Sequence, residues 1–325
     1  MSDVIRRASV VGVTSWGVTI SLLLARNGLK VQLVTRSGDE TDRLSANVNQ
    51  SRLAGITLHE NVSVVAPSEE AFESELICFA VPSRSMMENL MRVRDVISDE
   101  PIVMSATKGF SSSGNMRMSQ LITEFLPNNE VAVLSGPNLS RELADGLAGA
   151  TVIASAPSAR GRLVDAFHSK LLRVYWEQDV IGVEYGGAMK NVIAIAAGMA
   201  DSLDVGHNAK AALIVRGLAE ISRLGEAYGA DPLTFRGLSG VGDLMATAYS
   251  PLSRNRRFGE KVGSGLSAET ALEEIGETVE GLAALNSARS LANEKHISMP
   301  ICAELEAVLD QNKKPIDALH TLMNR

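Results

Sequence analysis

A single lysine stands in a long stretch of apolar and small residues. Lys190 is the only cation in EYGGAMKNVIAIAAGM, residues 184–199. A helix that is apolar or small almost all round is usually buried, and burial lowers the pKa of an ammonium toward neutrality, where it can act as a general acid or base. Alternatively, Lys190 extends its charge to solvent from a partly exposed face. Gly186 and Gly187 each weaken a helix by about 1 kcal/mol relative to alanine, which indicates close approach by another element.

Two further groups of polar residues have types suited to ligand binding. Lys108 in SATKG, residues 105–109, follows a predicted strand, and parallel sheets bind ligands beyond the carboxyl ends of their strands. The segment SRNRR, residues 253–257, follows GVGDLMAT, residues 240–247. Clustered guanidinium groups with a serine and an asparagine suit a phosphate group. The alternatives are an ordinary loop lysine and a solvated helix face.

A glycine-containing turn near the N-terminus has the context of a dinucleotide fingerprint. In GVTSWG, residues 12–17, Gly12 permits a tight turn after a strand and Gly17 permits close packing of the following helix. The N-terminus of that helix can bind a pyrophosphate. Thr14 replaces the usual middle glycine, so we expect its side chain to weaken phosphate binding. The alternative is a plain corner between a strand and a helix.

The end of the second predicted strand indicates which nucleotide is preferred. The sequence there is Thr35-Arg36-Ser37, and the first acid is Asp39. An acid at the strand end would bind the ribose hydroxyls of NAD, whereas Arg36 can pair with the 2′-phosphate of NADP. The sequence therefore favours NADPH, with NADH as the second cofactor, unless Arg36 is only a solvated surface residue.

Strands and helices alternate in the first half of the chain, and this alternation positions the polar residues described above. The predicted strands are residues 9–12, 31–35, 76–81, 102–105, 131–134 and 151–155, and the predicted helices are 16–27, 84–96 and 116–125. This alternation predicts an α/β Rossmann-type doubly wound, parallel sheet. Beyond residue 178 the pattern is helical, with the longest helices at 180–203 and 208–228. We expect a dinucleotide-binding domain over 1–178 and an all-α substrate and catalytic domain over 179–325.

Composition excludes several classes of protein. The 325 residues suit two domains, and 31 basic against 38 acidic residues argue against a basic nucleic-acid surface. Two cysteines fit a reducing compartment, and five scattered histidines lack metal-ligand spacing, so we expect no metal. Arg6 and Arg7 precede an uncharged stretch, residues 8–25, but its glycines and hydroxyl residues argue against a signal peptide. We expect a cytoplasmic protein without a membrane span.

The motifs taken together closely resemble those of the bacterial NAD(P)-dependent glycerol-3-phosphate dehydrogenases. The resemblance runs from residue 10 to about 323, with agreement in order, spacing and length. In chain order the matching motifs are GVTSWG (12–17), AVPS (80–83), SATKG (105–109), LSGPN (134–138), VIGVEYGGAMKNVIAIAAG (180–198), NAKAAL (208–213), GLSGVGDLMAT (237–247), SRNRRFG (253–259) and VEG (279–281).

The resemblance implies reversible reduction of dihydroxyacetone phosphate to sn-glycerol 3-phosphate, which supplies phospholipid synthesis, often in a homodimer. It implies that Lys190 is the proton donor and acceptor. The catalytic positions that it implies are Lys108, Lys190, Asn191, Asp243 and Thr247. The implied substrate contacts are Lys108, Gly136, Asn138, Lys190, Asp243, Ser253, Arg254 and Asn255. The implied cofactor contacts are Gly12, Ser15, Trp16, Gly17, Arg36, Lys108, Ser140, Arg254, Thr278 and Glu280.

Departures from the family pattern concern the cofactor more than the reaction. Besides Thr14, they are Asn138-Leu139-Ser140 for Ser-Phe-Ala, Ala248-Tyr249 for Cys-Thr, and His207 for an acid. Two alternatives stay open. One is a relative of the β-hydroxyacid and 6-phosphogluconate dehydrogenases, which SRNRRFG and GVGD fit less well. The other is a dinucleotide sensor without catalysis, which the joint presence of the catalytic residues argues against.

Overall fold

The computed structural model describes residues 4–46, 53, 55–112 and 114–324. They form two compact units. Unit 1 comprises the residues before 108 together with 116–180, and unit 2 comprises 108–115 together with the residues from 181 onward. The short segment 108–115, which carries Lys108, therefore belongs to the helical unit although it lies within the α/β half of the sequence.

Unit 1 is built on an eight-stranded sheet. Its strands are β1 (Arg7–Val11), β2 (Lys30–Val34), β3 (Val62–Val65), β4 (Leu76–Phe79), β5 (Ile102–Ser105), β6 (Val131–Ser135), β7 (Gly149–Ser155) and β8 (Leu172–Glu177). The spatial order is β3-β2-β1-β4-β5-β6-β7-β8. The chain reverses its direction of winding between β1 and β4, and ligands bind at such a switch point in doubly wound sheets. The predicted Rossmann-type sheet is confirmed.

The expectation of a wholly parallel sheet is wrong at one pair of strands. β7 runs antiparallel to β6, whereas the other neighbouring strands pair in parallel. The connection from β6 to β7 contains only a five-residue helix, whereas the crossover between parallel strands usually carries a longer α-helix. The sequence also did not predict β3 and β8. β3 is short and only partly buried, and β8 mixes charged and aromatic residues.

Alternate residues of the central strands feed two apolar cores, one on each face of the sheet. Cys78 and Met104 lie in one core, and Phe79 and Val103 lie in the other. This follows from the two-residue period of a strand buried on both faces.

The α-helices described in unit 1 are α1 (Ser15–Arg26), α2 (Gly38–Ala46), α3 (Met86–Val93), α4 (Met118–Phe125), α5 (Ser140–Ala144) and α6 (Arg160–Phe167).

Unit 2 is helical, as the sequence predicts. Its helices are α7 (Val180–Ser202), α8 (Gly206–Ala227), α9 (Asp243–Tyr249), α10 (Arg254–Gly263), α11 (Ala268–Ile275), α12 (Glu280–Lys295), α13 (Pro300–Asp310) and α14 (Pro315–Met323). A π-helical turn, Leu238–Gly242, leads directly into α9.

Helix α7 is the centre of unit 2. Among the described residues it is the one helix long and apolar enough to cross a membrane, and 89% of an apolar 18-residue stretch within it is buried inside the protein. Glycines permit this burial. A Cβ on Gly198 would stand 2.0 Å from the Arg256 carbonyl oxygen of α10, and one on Gly259 of α10 would stand 2.0 Å from the Ile195 carbonyl oxygen. α7 is thus a core helix in close backbone contact with its neighbours.

Candidate active site

Lys190 of α7 is buried in unit 2 and bound by polar side chains of α9. Its Nζ donates to Asp243 Oδ1 and, at 2.7 Å, to Thr247 Oγ1. Only 7% of Lys190 and 1% of Asp243 is exposed. Asp243 and Thr247 are one turn apart on α9, so both face the same ammonium. The predicted burial of Lys190 is confirmed, and the alternative of a solvent-directed lysine is wrong.

Burial lowers the pKa of the Lys190 ammonium from 10.5 to about 7. Desolvation is the largest cause because it disfavours the charged form. The Asp243 carboxylate acts in the opposite direction and raises the pKa, while the positive charge of Lys108 lowers it further. The ammonium is therefore poised to exchange a proton near neutral pH.

The π-helical turn before α9 positions Asp243 against α7. A Cβ on Gly186 of α7 would stand 2.4 Å from the Ser239 carbonyl oxygen in that turn. The close approach that the sequence predicts at Gly186 is confirmed, and its partner is this backbone. Turns of π type are frequent at functional sites. Here the turn ends one residue before Asp243, which binds the lysine.

Lys108 reaches the same carboxylate from the segment 108–115. Its Nζ donates to Asp243 Oδ2 at 2.8 Å, and 16% of its side chain is exposed. Within this segment the ring of Phe110 packs edge-on against Tyr185 of α7, with 5.2 Å between ring centroids. Asp243 therefore bridges two lysines, one on each carboxylate oxygen.

Two asparagine amides form a second buried group in unit 2. Asn255 Nδ2 donates to Asn191 Oδ1 at 2.9 Å, and Asn255 Oδ1 accepts the backbone N–H of Gly281 at 2.9 Å. Both amide oxygens are thereby used, so the N–H groups that remain on the two amides suit acceptor oxygens of a ligand. Sequence reasoning named Asn191 and Asn255 but gave no role to the Gly281 backbone N–H.

The serine and the arginines around Asn255 differ in their surroundings. Ser253 is the N-cap of α10 and accepts the backbone N–H of Arg256 at 3.2 Å. The Arg256 side chain pairs with Asp201 at 2.9 Å and Glu260 at 2.7 Å. Arg254 is 43% exposed and lies 3.4 Å from Glu277. This contact brings Arg254 to the segment that leads into α12, where Thr278 precedes the helix and Glu280 is its first residue. Sequence reasoning missed Glu277, and no local pattern marks it.

The glycine turn of unit 1 has the packing that a dinucleotide fingerprint requires. Gly12 has φ +111°, and its Cβ would stand 2.9 Å from the Ala80 carbonyl oxygen, just after β4. A Cβ on Gly17 would stand 2.0 Å from the Gly12 carbonyl oxygen. Only glycine fits at these two positions, so the turn can present the N-terminus of α1 to a pyrophosphate at the switch point.

Thr14 uses its hydroxyl inside this turn. Thr14 Oγ1 accepts the backbone N–H of Gly17 at 2.9 Å and donates to the Ala80 carbonyl oxygen at 2.7 Å. Thr14 is thereby the N-cap of α1 and joins that helix to the end of β4. The indole of Trp16 makes a parallel connection, since its Nε1 donates to the Ala106 carbonyl oxygen at 3.1 Å. Ser15 begins α1.

The other positions predicted in unit 1 lie near strand ends. Arg36 follows β2, 66% of its side chain is exposed, and it pairs with Glu40 of α2. Gly136 follows β6 with φ +112°. Asn138 is bound to the start of β7, because Thr151 Oγ1 donates to Asn138 Oδ1 at 3.1 Å. Ser140 begins α5, and its carbonyl oxygen accepts Thr19 Oγ1 of α1 at 3.0 Å. Sequence reasoning missed Glu40, although the four-residue spacing from Arg36 was a signal.

No group of three or more histidine, cysteine, aspartate or glutamate side chains that could hold a metal ion occurs within the described residues. The hydrogen-bonded polar groups described above around Lys190 and Asn191 in unit 2 are two lysine ammonium groups, one carboxylate, a hydroxyl and two amides. Such a set fits proton transfer and the binding of oxygen-rich ligands.

A doubly wound sheet with a glycine turn at its switch point, and a helical unit with a buried lysine, together define a dinucleotide-dependent dehydrogenase. Residues 7–160 match the sequence profile of the NAD-dependent glycerol-3-phosphate dehydrogenase N-terminus. Residues 179–320 match the profile of the C-terminus of the same family. The chain belongs to the NAD-dependent glycerol-3-phosphate dehydrogenase family, and the predicted resemblance is confirmed.

Individual relatives agree with this assignment over the full chain. Glycerol-3-phosphate dehydrogenase [NAD(P)+] from Thermoanaerobacter sp. (strain X514) is 41% identical over 98% of this chain and 97% of its own length. The protein of the same name from Parafrankia sp. (strain EAN1pec) is also 41% identical, over 98% and 97%. The crystal structure of glycerol-3-phosphate dehydrogenase from Coxiella burnetii has a TM-score of 0.93 at 34% identity, and the match covers 98% of this chain and 99% of that one.

Proposed function

We propose that the protein catalyses the reversible reduction of dihydroxyacetone phosphate to sn-glycerol 3-phosphate with NAD(P)H. The substrate is inferred from the names of the relatives, and the chemistry of unit 2 supports it. Reduction of a ketone requires a hydride at carbon and a proton at oxygen. The nicotinamide supplies the hydride when it is bound.

The observation that carries the proposal is the burial of Lys190 against Asp243 and Thr247, and this burial lowers the pKa of its ammonium to about 7. In the reductive direction the Lys190 ammonium gives its proton to the oxygen that becomes the hydroxyl, and the neutral amine then regains a proton from water. In the oxidative direction the amine removes that proton. A pKa near the working pH serves both directions.

The groups around Lys190 orient the ammonium and balance its charge. Asp243 and Thr247 accept two of its three N–H bonds, which leaves the third for the substrate oxygen. Lys108, on the other oxygen of Asp243, adds positive charge where an alkoxide would develop. The Asn191 amide supplies N–H donors beside them.

The phosphate of the substrate is assigned to Arg254 and Asn255. Arg254 is accessible and presents a fork of N–H donors. Asn255 accepts the Gly281 backbone N–H with its oxygen and donates one amide N–H to Asn191, so its second amide N–H suits a phosphate oxygen. Ser253, Gly136 and Asn138 complete the proposed substrate contacts.

The proposed cofactor contacts follow the fingerprint turn and the family motifs. They are Gly12, Ser15, Trp16, Gly17, Arg36, Lys108, Ser140, Arg254, Thr278 and Glu280. The exposed guanidinium of Arg36 supports a preference for NADPH over NADH, because it can pair with a 2′-phosphate. No metal takes part in the proposed reaction.

We also propose a cytoplasmic homodimer in which residues 1–178 bind the dinucleotide and residues 179–325 bind the substrate and carry out catalysis. The product of the proposed reaction provides the glycerol backbone of phospholipids.

The experiment that tests the reaction follows oxidation of NADPH and NADH by purified protein with dihydroxyacetone phosphate. Unphosphorylated dihydroxyacetone and the Lys190→Ala variant are the controls. We expect rapid oxidation with the phosphorylated ketone and a loss of about 10² to 10⁴-fold in kcat for the folded variant. Binding of a dinucleotide without turnover would instead identify a sensor.

The proposed role of Arg254 is tested by the preference of the protein for the phosphorylated over the unphosphorylated ketone. Arg254→Lys should raise KM for dihydroxyacetone phosphate because a point charge does not reproduce the bidentate fork. Arg254→Ala should remove most of the discrimination between the phosphorylated and unphosphorylated ketones. A discrimination ratio that stays at the wild-type value in Arg254→Ala would exclude this assignment.

A further inference from the structure

The carboxylate of Glu40 lies on the residue proposed to recognise NADPH. Glu40 Oε1 is 3.4 Å from Arg36 Nη2, and Glu40 Oε2 is 3.5 Å from Arg36 Nε. The same Oε2 accepts the backbone N–H of Arg36 at 2.8 Å. The end of β2 thus presents an anion beside a cation, although the strand end itself contains no acid.

We propose that Glu40 is a specificity-determining residue that reduces the preference for NADPH over NADH. The inference rests on the proposed function, in which Arg36 binds the 2′-phosphate of NADPH. Glu40 occupies the guanidinium in the free protein and keeps a negative charge beside the position that the 2′-phosphate must take.

The hydrogen bond from the Arg36 backbone N–H keeps the Glu40 carboxylate in place when the Arg36 side chain moves. Only 21% of the Glu40 side chain is exposed, compared with 66% of the Arg36 side chain. Glu40 belongs to the first turn of α2, where the helix dipole favours a carboxylate. When the exposed guanidinium turns to a phosphate, the main chain of Arg36 still holds Glu40.

The two nucleotides meet this carboxylate with opposite chemistry. A phosphate monoester carries about −1.5 to −2 charges at pH 7, so it is repelled by Glu40 and must also compete with it for Arg36. The ribose of NADH carries hydroxyl groups in the same region, and hydroxyl groups donate to carboxylates. Glu40 therefore weakens NADPH binding and leaves NADH binding unaffected or strengthened.

The test measures dissociation constants of NADPH and NADH for the full-length protein and its Glu40→Gln variant. Glutamine keeps an oxygen that can accept the Arg36 backbone N–H but has no charge. We expect NADPH to bind about three- to five-fold more tightly at low salt, the range of a partly exposed ion pair, with no gain for NADH. The effect should shrink as salt rises.

A matched control removes a similar pair elsewhere in unit 1. Glu88 and Arg92 of α3 are also four residues apart, with 2.6 Å between Glu88 Oε1 and Arg92 Nη2. Glu88→Gln should leave both dissociation constants unchanged. Circular dichroism of each variant reports folding. Glu40→Ala, which also removes the backbone acceptor, separates an effect of charge from an effect on the turn.

The Arg36→Ala variant distinguishes failure of this inference from failure of the proposed function. A selective loss of NADPH binding in Arg36→Ala, with an unchanged NADPH to NADH ratio in Glu40→Gln, overturns the role of Glu40 and leaves that of Arg36. Equal losses of both cofactors in Arg36→Ala overturn the assignment of Arg36, and the inference with it. A selective loss in Arg36→Ala together with a selective gain in Glu40→Gln supports both.

Discussion

At the scale of the residue, two neighbours of opposite charge act on one ammonium. Asp243 raises the pKa of Lys190 and Lys108 lowers it, while burial brings the pKa to about 7. Because ketone reduction needs the protonated lysine, we expect kcat/KM for reduction to fall as pH rises through about 7. For alcohol oxidation, which needs the neutral amine, kcat/KM should rise over the same interval.

Removing each neighbour should move this pH dependence in opposite directions. Asp243→Asn should shift the reductive limb to lower pH, and Lys108→Met should shift it to higher pH. Both variants also lose kcat, so the position of the limb is the measurement. Lys313→Met, which removes a lysine 2.6 Å from Glu304 outside this cluster, is the control and should leave the limb in place. Shifts of the same sign in the two cluster variants would contradict the assigned electrostatics.

At the scale of the element, Thr14 stabilises α1 as its N-cap but occupies a backbone N–H that could otherwise bind a phosphate. The Thr14 hydroxyl holds the Gly17 N–H that a glycine at position 14 would leave available. Thr14→Ala should lower the free energy of unfolding by about 1 kcal/mol, as loss of an N-cap does. Thr14→Gly should tighten NADH and NADPH alike, because both share the pyrophosphate. Urea unfolding and dissociation constants measure these effects.

The controls for Thr14 separate capping from cofactor binding. Thr14→Ser keeps a hydroxyl and should resemble the wild type in both measurements. Ser267 is the N-cap of α11 in unit 2, where its Oγ accepts the Thr270 N–H at 3.1 Å. Ser267→Ala should lose similar stability with no change in cofactor affinity. A gain for only one of the two cofactors in Thr14→Gly would refute a role at the shared pyrophosphate.

The packing of α7 against α10 depends on glycine at close approach. Gly259→Ala would place a methyl group 2.0 Å from the Ile195 carbonyl oxygen, so the helices must separate. We expect a loss of about 1–3 kcal/mol in the free energy of unfolding, or more. Turnover should fall as well, because the two helices carry Asn191 and Asn255, which bind each other.

Gly161 of α6 is the matched control for Gly259. It is also helical, but an added Cβ would have no heavy atom within 4 Å. Gly161→Ala should therefore leave stability unchanged or raise it by up to about 1 kcal/mol. Thermal unfolding of the two variants provides the comparison. Equal stability of Gly259→Ala and Gly161→Ala would contradict the close packing of α7 on α10.

At the scale of the whole molecule, each unit has its own core and one buried thiol. Cys78 lies in β4 of unit 1 and Cys302 lies in α13 of unit 2. Burial raises the pKa of Cys78 to about 12 and also raises that of Cys302. The thiolate is the reactive form, so we expect neither cysteine to be alkylated in native buffer at pH 8.

Alkylation in increasing urea should report the unfolding of each unit separately. Peptide mapping by mass spectrometry quantifies the label at Cys78 and at Cys302, so no variant is needed. Each labelling curve should follow the loss of its own core, with full labelling of both in strong denaturant. Rapid labelling of either cysteine without denaturant would be inconsistent with the burial of that unit's core.

Local patterns in the chain were sufficient to predict much of this protein. The GVTSWG turn between a strand and a helix, the helical second half and the lone lysine of residues 184–199 are short-range signals. They determine backbone conformation and burial through residue type and period, and a linear sequence displays both. The predicted bounds of α1 and α7 accordingly lie within a residue of those observed.

Contacts between residues distant in the chain could be identified only from the tertiary structure. Asp243 follows Lys190 by 53 residues and Lys108 by 135, and only folding places one carboxylate between two lysines. The antiparallel β7 and the inclusion of residues 108–115 in unit 2 likewise depend on packing. The Gly281 N–H that orients Asn255 is a backbone group, which every residue except proline carries. Its role therefore depends on position in space rather than on residue type.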